Sequence, residues 1–341
     1  MGSPPRGRSR TSRTRAPRER GGRGAHMTGR DGDTVRAARG VTRTEAHGPG
    51  EGGDSADGVG TGRHLRICAV TTCRNDDFFL KRWIAHYGRI CGPDNLVPIL
   101  DGHDQNLPES HAGRSVLRLP HTPLGRVAAM RRRARVMSRI ADGLFHYYDV
   151  LIVCDVDEFL VVDPRLGMDL GTYLASRPRL PRTLSGLGLD VGQHLDQEDP
   201  LDPERPILEQ RAYAHVSSRY TKPVVATAPV TWGSGMHRIK GRNFRIDPNL
   251  FVFHLGMADE ALAHGKVGDS DRQKTGWGGH LNRRRRLFEI ITGSEPRDGD
   301  AYFDRARRWQ SWVRPPYALN KPGMIPGDPV IRIPERFRGL I

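Results

Sequence analysis

Five apolar residues lead directly into a cluster of acids in the stretch VLIVCDVDEFLVVDP, residues 150–164. The acids are Asp155, Asp157 and Glu158, and the apolar run before them is typical of a buried β-strand. Carboxylates about 7 Å apart repel one another by about 2 kcal/mol at an effective dielectric constant of about 20. A divalent cation that carries a phosphorylated substrate would offset this repulsion.

The spacing of these acids suggests how such a cation would be held. In an extended segment successive side chains point to opposite faces, which would place Asp155 and Asp157 on one face and Glu158 on the other. Two carboxylates on one face supply oxygen ligands for Mn²⁺ or Mg²⁺, the cofactor we expect, while substrate phosphates and water complete the shell. The alternative is a turn that Asp157 and Glu158 begin and that Asp155 caps.

The first sixty residues differ in composition from the rest of the 341-residue chain, which has a net charge of +15. They contain no Phe, Tyr, Trp, Ile or Leu, so we expect residues 1–62 to form a disordered arm rich in Arg and Gly. Its first thirty residues carry nine arginines and one acid, Glu19. Such an arm can bind nucleic acid or an anionic surface, or have no specific role. We expect the main domain at 63–295 and a Pro-rich extension at 296–341 that packs on it, without regular structure from residue 312 onward.

The hydropathy of the chain bears on its cellular location, and its arginine runs bear on its binding partners. No stretch reaches the roughly 18 apolar residues of a transmembrane helix, so we expect a cytoplasmic protein, with peripheral contact at the inner membrane face left open. The arginine runs at 131–133 and 283–286 lack interleaved aromatic residues, which predicts solvated helix faces and no specific nucleic-acid recognition. The four cysteines form no CxxC pair, which predicts reduced thiols and no zinc site.

Apolar periodicity after residue 63 predicts strands that alternate with helices. A helix should follow Asn75 or Asp76, and a longer one should span 124–146. Strands are predicted at 65–72, at 95–101 with a glycine turn after Asp101, and at 115–119, 150–154, 183–192, 222–230 and 249–256. This order predicts an α/β fold with a mainly parallel sheet flanked by helices.

Polar clusters follow three of the predicted strands. They are RNDD at 74–77, DGHD at 101–104 and DVDE at 155–158. Ligands of open α/β sheets bind outside the carboxyl ends of the strands. The three clusters therefore predict one binding site at a single edge of the sheet.

Two of these segments resemble a known family of enzymes. The motif CDVDEFL, residues 154–160, resembles the DxD motif of glycosyltransferases with a GT-A fold, and TTCRNDDFFLKRWIAHYGRI, residues 71–90, is similar to the start of a branch of the family-2 glycosyltransferases. The resemblance covers about residues 65–159, and 180–260 loosely. It implies a metal-dependent, hexosyltransferase-type enzyme that transfers a sugar from a nucleotide-diphosphate donor to an acceptor hydroxyl, with inversion.

The resemblance also implies roles for individual residues. Asp157 would be the direct metal ligand and a catalytic residue, with Asp155 beside it. A late histidine would complete the metal site, either His254 or His237. The residues implied to bind the nucleotide-sugar are Thr72, Arg74, Asn75, Asp76, Asp101 and Asp155. Arg74 stands where the family often has Lys, and Asp76 where it has Glu, which leaves the nucleobase open.

Two further residues are candidates for parts of the reaction. Lys222 in YTKPVV is either a contact to the diphosphate or a solvated lysine. Family-2 glycosyltransferases use a carboxylate as general base, and Asp190 in GLGLDVG is the expected one, with Glu198 and Asp199 as alternatives. The acceptor, a glycan, a lipid-linked molecule or a polymer, is left open.

Two other functions compete with sugar transfer. A metal-dependent nucleotidyl or phosphoryl transferase could use the same carboxylates and would release pyrophosphate, although the chain has no GxxxxGK phosphate loop. A non-enzymatic binder of nucleic acid or anionic surfaces would act through the basic arm. Its binding would depend steeply on salt and would not change in Asp157→Ala.

Overall fold

The computed structural model describes residues 64–241, 244–268, 274, 278–314 and 316–341. All of them lie within one unit, Val59–Ile341. The arm expected at 1–62 falls outside the described residues, and the boundary at 295/296 stays a prediction. None of the described helices is both long enough and apolar enough to cross a membrane.

Eleven strands and seven helices of the described part position the site. The strands are β1 Ile67–Cys73, β2 Leu96–Asp101, β3 Leu117–Leu119, β4 Val150–Val153, β5 Glu158–Val162, β6 Thr183–Gly192, β7 Tyr213–Val216, β8 Pro223–Ala226, β9 Ile246–Met257, β10 Arg297–Asp298 and β11 Val330–Arg332. The helices are α1 Asp77–Cys91, α2 Arg126–Leu144, α3 Leu170–Ala175, α4 Ile207–Gln210, α5 Glu260–Gly268, α6 Gly278–Gly293 and α7 Gly299–Trp312.

All eleven strands belong to one mixed sheet. Its main path runs β10-β11-β7-β6-β8-β4-β1-β2-β3, and β9 pairs with both β5 and β6. The strands β4, β1, β2 and β3 are parallel neighbours, as predicted. Beyond β4 the pairs β4–β8, β6–β8, β6–β7 and β7–β11 are antiparallel. The prediction of an α/β sheet flanked by helices is confirmed. The sheet is mixed, because β6–β9 and β10–β11 are also parallel pairs, whereas β5–β9 is antiparallel.

Helices α1 and α2 cover opposite faces of the parallel half. Alternating residues of β1 separate the two cores, because Ile67 and Ala69 lie in the cluster of α1, and Cys68 and Val70 lie in the cluster of α2. The buried stripe of α1 consists of Phe79, Leu80, Trp83, Ile84 and Tyr87, and that of α2 of Ala134, Met137 and Ala141. Both helices follow the predicted periodicity and leave the carboxyl ends of β1, β2 and β4 uncovered.

The predicted reduced thiols agree with the structure, in which all four cysteines are free. Cys68, Cys73 and Cys154 are buried, and Cys91 is half-buried. Burial raises the pKa of each of these thiols to about 12, so they stay protonated at neutral pH.

The C-terminal end was expected to lack regular structure from residue 312, and this expectation is wrong at one place. Residues Val330–Arg332 form β11, which pairs antiparallel with β7 inside the sheet. Ile331 and the later Phe337 are fully buried. A strand of three residues between prolines is too short to show a period of two, which is why the pattern failed to predict it.

Candidate functional site

The carboxyl ends of β1, β2 and β4 open into one cavity of about 1050 Å³. It is lined by residues 72–76 at and after the end of β1, by Asp101 at the end of β2 and by residues 155–157 after β4. The three polar clusters therefore meet at one edge, as the parallel arrangement of these strands predicts.

The acidic cluster is a turn between β4 and β5, so the expected extended alternation is wrong. The Glu158 N–H donates to the Asp155 carbonyl at 3.0 Å, and the Asp155 N–H donates to Glu158 Oε2 at 3.2 Å. The capping carboxylate is therefore Glu158, rather than Asp155 as the alternative had it. Glu158 is fully buried, whereas Asp155 and Asp157 line the cavity.

Asp155 is neutralised from two sides. Its Oδ2 lies 2.9 Å from Lys222 Nζ, and its Oδ1 lies 3.2 Å from Arg133 Nη2. Burial opposes ionisation, but the charges of Arg133 and Lys222 outweigh it and lower the pKa of Asp155. Lys222 also lies 2.6 Å from Glu158 Oε1, is 1% exposed and does not line the cavity. Lys222 thus holds the turn from beneath instead of reaching a diphosphate or solvent.

Asp157 faces His254 and Lys266 across the cavity floor. Its Oδ2 lies 3.5 Å from His254 Nε2 and 3.5 Å from Lys266 Nζ, and Lys266 also lies 2.8 Å from Asp76 Oδ2. Burial raises the pKa of Asp157, but His254 and Lys266 more than offset this, and the pKa falls well below its usual range. A Cβ on Gly256 would meet Asp157 Oδ2, so any larger residue here would displace this carboxylate.

Asp190 lies behind His254, not on the cavity. β9 lies beside β6 with His254 opposite Asp190, and His254 Nδ1–H donates to Asp190 Oδ1 at 2.8 Å. Arg284 donates to both oxygens of Asp190 at 2.9 and 3.0 Å. Tyr220 stacks on His254 with ring centroids 3.8 Å apart. With 2% of its surface exposed and both oxygens in use, Asp190 orients His254 so that Nε2 points toward Asp157.

The ends of β1 and β2 are joined by side chains of the predicted binding set. Arg74 Nη1 donates to the Asp101 carbonyl at 2.8 Å, and Asn75 exchanges two hydrogen bonds with Gln105, at 2.6 and 2.9 Å. Asp76 occupies the N-cap position of α1 without making a side-chain cap, because its carboxylate pairs with Lys266. The buried Thr72 hydroxyl has no hydrogen-bond partner in the described part of the chain.

The other wall of the cavity is basic. Three arginines of α2 line it, two of them from the run 131–133 that was expected to be solvated, together with two residues from later loops; the five are Arg126, Arg132, Arg133, Arg219 and Lys321. His237 lies on this side, where its Nδ1–H donates to the Arg219 carbonyl at 2.9 Å. Burial and then the charge of Lys222 lower the pKa of His237 to about 3, so its ring is neutral at physiological pH.

The four predicted metal ligands are not gathered at one point. Within the residues that the structure describes, no group of three or more His, Cys, Asp or Glu side chains is placed to hold an ion. Asp157 and His254 approach each other, whereas Asp155 pairs with Lys222 and Arg133. Because Mg²⁺ and Mn²⁺ use only one or two protein carboxylates when substrate phosphates supply the remaining ligands, Asp157 with His254 fits such an ion.

Sequence reasoning missed several residues of this site. Lys266 and Arg284 come from α5 and α6, more than 100 positions after the first cluster, and nothing in their local sequence points to the cavity. Arg133 lies in an arginine run that also fits a solvated helix face. A period-3.6 projection places Arg133 between the buried stripe and the exposed face, but it cannot reveal which strand end lies opposite.

Comparisons with known proteins add little to this geometry. No protein-family model and no curated protein matches the chain. One similar solved structure is the crystal structure of mannose-1-phosphate geranyltransferase from Thermus thermophilus. It shares 10% identity over 67% of this chain and 68% of its own, with a TM-score of 0.22. Similarity at this level carries no conclusion about fold or function.

Proposed function

We propose that the chain is a metal-dependent glycosyltransferase with a GT-A-type fold that transfers a sugar from a nucleotide-diphosphate donor to an acceptor hydroxyl, with inversion. The observation that carries this proposal is the convergence of the clusters after β1, β2 and β4 on one cavity, with Asp157 Oδ2 and His254 Nε2 3.5 Å apart at its floor. The segment 155–157, which resembles a DxD motif, follows β4 at this edge.

The donor would lie along the edge of the sheet. The nucleoside would occupy the side of β1 and β2, where Asp76 and Asp101 can accept hydrogen bonds from base and ribose and the unpartnered Thr72 hydroxyl can bond a ligand. The diphosphate would lie near Asp157. A cavity of about 1050 Å³ is large enough for a nucleotide-sugar and part of an acceptor.

Asp157 and His254 would hold Mn²⁺ or Mg²⁺ together with the donor phosphates. Such an ion neutralises the charge that develops on a leaving diphosphate. Asp190 keeps the His254 Nε2 lone pair directed to this point and is therefore a positioning residue in this proposal, not the general base. Lys266, which joins Asp76 to Asp157 in the structure, would move to the phosphates when the donor binds.

The test is a thermal-shift panel of nucleoside diphosphates with and without Mn²⁺. A ligand that binds only the native state raises its stability by mass action. We expect one nucleotide to raise the Tm only with Mn²⁺, and Asp157→Asn to abolish the shift. The matched control is Asp94→Asn, an exposed carboxylate outside the cavity, which should keep the shift. No shift with any nucleotide, or turnover that releases pyrophosphate instead of a nucleoside diphosphate, would contradict the proposal.

A further inference from the structure

A second surface of the molecule has an unusual composition. Nine large apolar side chains of the described residues are exposed, and five of them fall between positions 309 and 324. We name this set the apolar patch: Trp309, Trp312, Val313, Tyr317 and Met324. Tyr317 is 88%, Trp312 82% and Met324 79% exposed. Folded proteins seldom expose large apolar side chains in such a group unless the group binds a partner.

The patch is held together by contacts between the end of α7 and the loop that follows. Trp309 Nε1–H donates to the Met324 carbonyl at 2.8 Å, and the Gly323 N–H donates to the Gln310 carbonyl at 2.8 Å. A Cβ on Gly323 would lie 2.2 Å from the Val313 carbonyl oxygen, so the two segments approach as closely as glycine allows. The exposed rings are therefore presented on an ordered backbone.

The segment that carries the patch has a net positive charge. Residues 305–327 contain five basic residues and no acid. Four of the five are at least partly exposed: Arg305, Arg308, Arg314 and Lys321. Two exposed carboxylates, Asp304 and Asp328, flank this segment, but basic residues outnumber acids by five to two over 304–328, so an anionic surface would be attracted to this face.

We propose that the apolar patch and its basic residues dock the protein on an anionic lipid bilayer. Trp and Tyr favour the interface between lipid and water, and basic residues beside them bind anionic headgroups. An acidic polymer would match the charges and could stack on the rings, but it would leave Val313 and Met324 exposed to water. The arginines of α2 are not part of this surface, since three of them line the cavity.

The patch is continuous with the mouth of the cavity, since Lys321, Pro322 and Met324 line it. A bilayer on this face would bring lipid-linked molecules to the cavity. This favours the lipid-linked acceptor among the three classes, a choice that rests on the proposed function. The docking itself does not rest on it, and it is measured without any turnover.

The experiment is flotation of the full-length protein with vesicles of phosphatidylcholine and phosphatidylglycerol, and with vesicles of phosphatidylcholine alone. We expect association with the mixed vesicles and quenching of tryptophan fluorescence by brominated lipids, because the patch inserts its rings. Trp312→Ser with Tyr317→Ser should weaken the vesicle affinity by about tenfold or more. The matched control is Tyr147→Ser, a 71% exposed ring at the end of α2 that lies outside the patch.

Three outcomes would overturn the docking surface. The first is an absence of vesicle association. The second is association that persists unchanged in the double variant, which would assign binding to the basic arm, since that variant keeps every arginine of the arm. The third has two parts. The wild type binds a soluble acidic polymer and the double variant does not, and brominated lipids fail to quench the tryptophan fluorescence of the wild type. Failure of nucleotide binding in the thermal-shift panel would leave these results unaffected.

Discussion

Two ion clusters of the molecule use similar residues in different ways. The cavity network consists of Asp76, Asp155, Asp157, Asp190, Lys222, His254, Lys266 and Arg284. The C-terminal tie consists of Asp163, Arg165, Asp300 and Arg336. In the tie, Asp163 accepts hydrogen bonds from Arg336 at 2.7 and 3.1 Å and from Arg165 at 2.8 Å. In the cavity network, Asp157 Oδ2 lies 3.5 Å from both His254 Nε2 and Lys266 Nζ.

This difference distinguishes a carboxylate that stabilises the fold from a carboxylate that can still bind a ligand. The carboxylate of Asp163 has both oxygens bonded to arginine, so nothing further can bind it without breaking the tie. Asp157 is ionised by its surroundings but lines open space, which is the condition for binding a cation or a substrate. Perturbed pKa values occur in both clusters, so a perturbed pKa alone does not identify a site.

The largest effect is expected at Lys222, which belongs to the cavity network but faces away from the cavity. Lys222→Met leaves Asp155 and Glu158 buried together without their shared cation. Removing one partner from a buried ion pair costs about 3–5 kcal/mol, and we expect this loss in the free energy of unfolding measured in urea. Adding Glu158→Gln should restore part of the stability, because Glu158 is the buried carboxylate that loses its cation, whereas Asp155 keeps Arg133. If the single variant is as stable as wild type, Lys222 does not hold the turn.

The next effect is catalytic and is expected at Asp157. Asp157→Asn should lower kcat for donor turnover by about 100-fold or more, because the variant loses the charge that holds the metal and the diphosphate. The comparison is Asp163→Asn, assayed at a temperature at which both proteins are folded, and it should keep its turnover. Equal loss of activity in the two variants would show that the two clusters do not differ in their roles in turnover.

A smaller effect, on stability alone, is expected in the C-terminal tie. Burial raises the pKa of Asp163, but the hydrogen bonds from Arg336 and Arg165 outweigh it and lower the pKa to about 2. A depressed carboxyl pKa stabilises the fold above about pH 4, and this contribution disappears as the pH falls toward 2. Asp163→Asn should therefore cost about 2 kcal/mol at pH 7 and almost nothing near pH 2, measured by denaturant unfolding at each pH. A cost that is independent of pH would mean that Asp163 contributes through packing.

The sequence predicted the parallel half of the sheet because its signals are local. The strands β1 to β4, the helices α1 and α2 and the polar residues at three strand ends are each contained in a short segment. The strands β5, β7 and β11 were not predicted, because β5 follows the acidic turn directly and β7 and β11 lie in segments that show no apolar alternation.

The residues of the candidate site also fall into those that local sequence predicts and those that it does not. Asp155, Asp157 and Asp101 were found because each follows an apolar run, and Asp190 was placed on the correct strand. Its role could not be predicted, because the bonds to His254 and Arg284 depend on β9 lying beside β6 and on α6 covering them. Sequence patterns show where a residue lies in its own strand or helix, but not which charged residues from distant segments contact it.

The smallest expected effect comes from a substitution that adds a methyl group beside Asp157 and changes no charge. In Gly256→Ala the new Cβ would lie 2.3 Å from Asp157 Oδ2 and 3.0 Å from His254 Nε2, so both side chains must shift. We expect kcat to fall by about tenfold, because a displacement of this size disturbs a site whose geometry must be accurate. The matched control is Gly265→Ala in α5, where nothing lies within 4 Å of the new Cβ, and helix propensity should raise stability by up to about 1 kcal/mol. Full turnover in Gly256→Ala would show that the spacing between Asp157 and His254 is not needed for the reaction, and the availability of Asp157 would then depend on its charge alone.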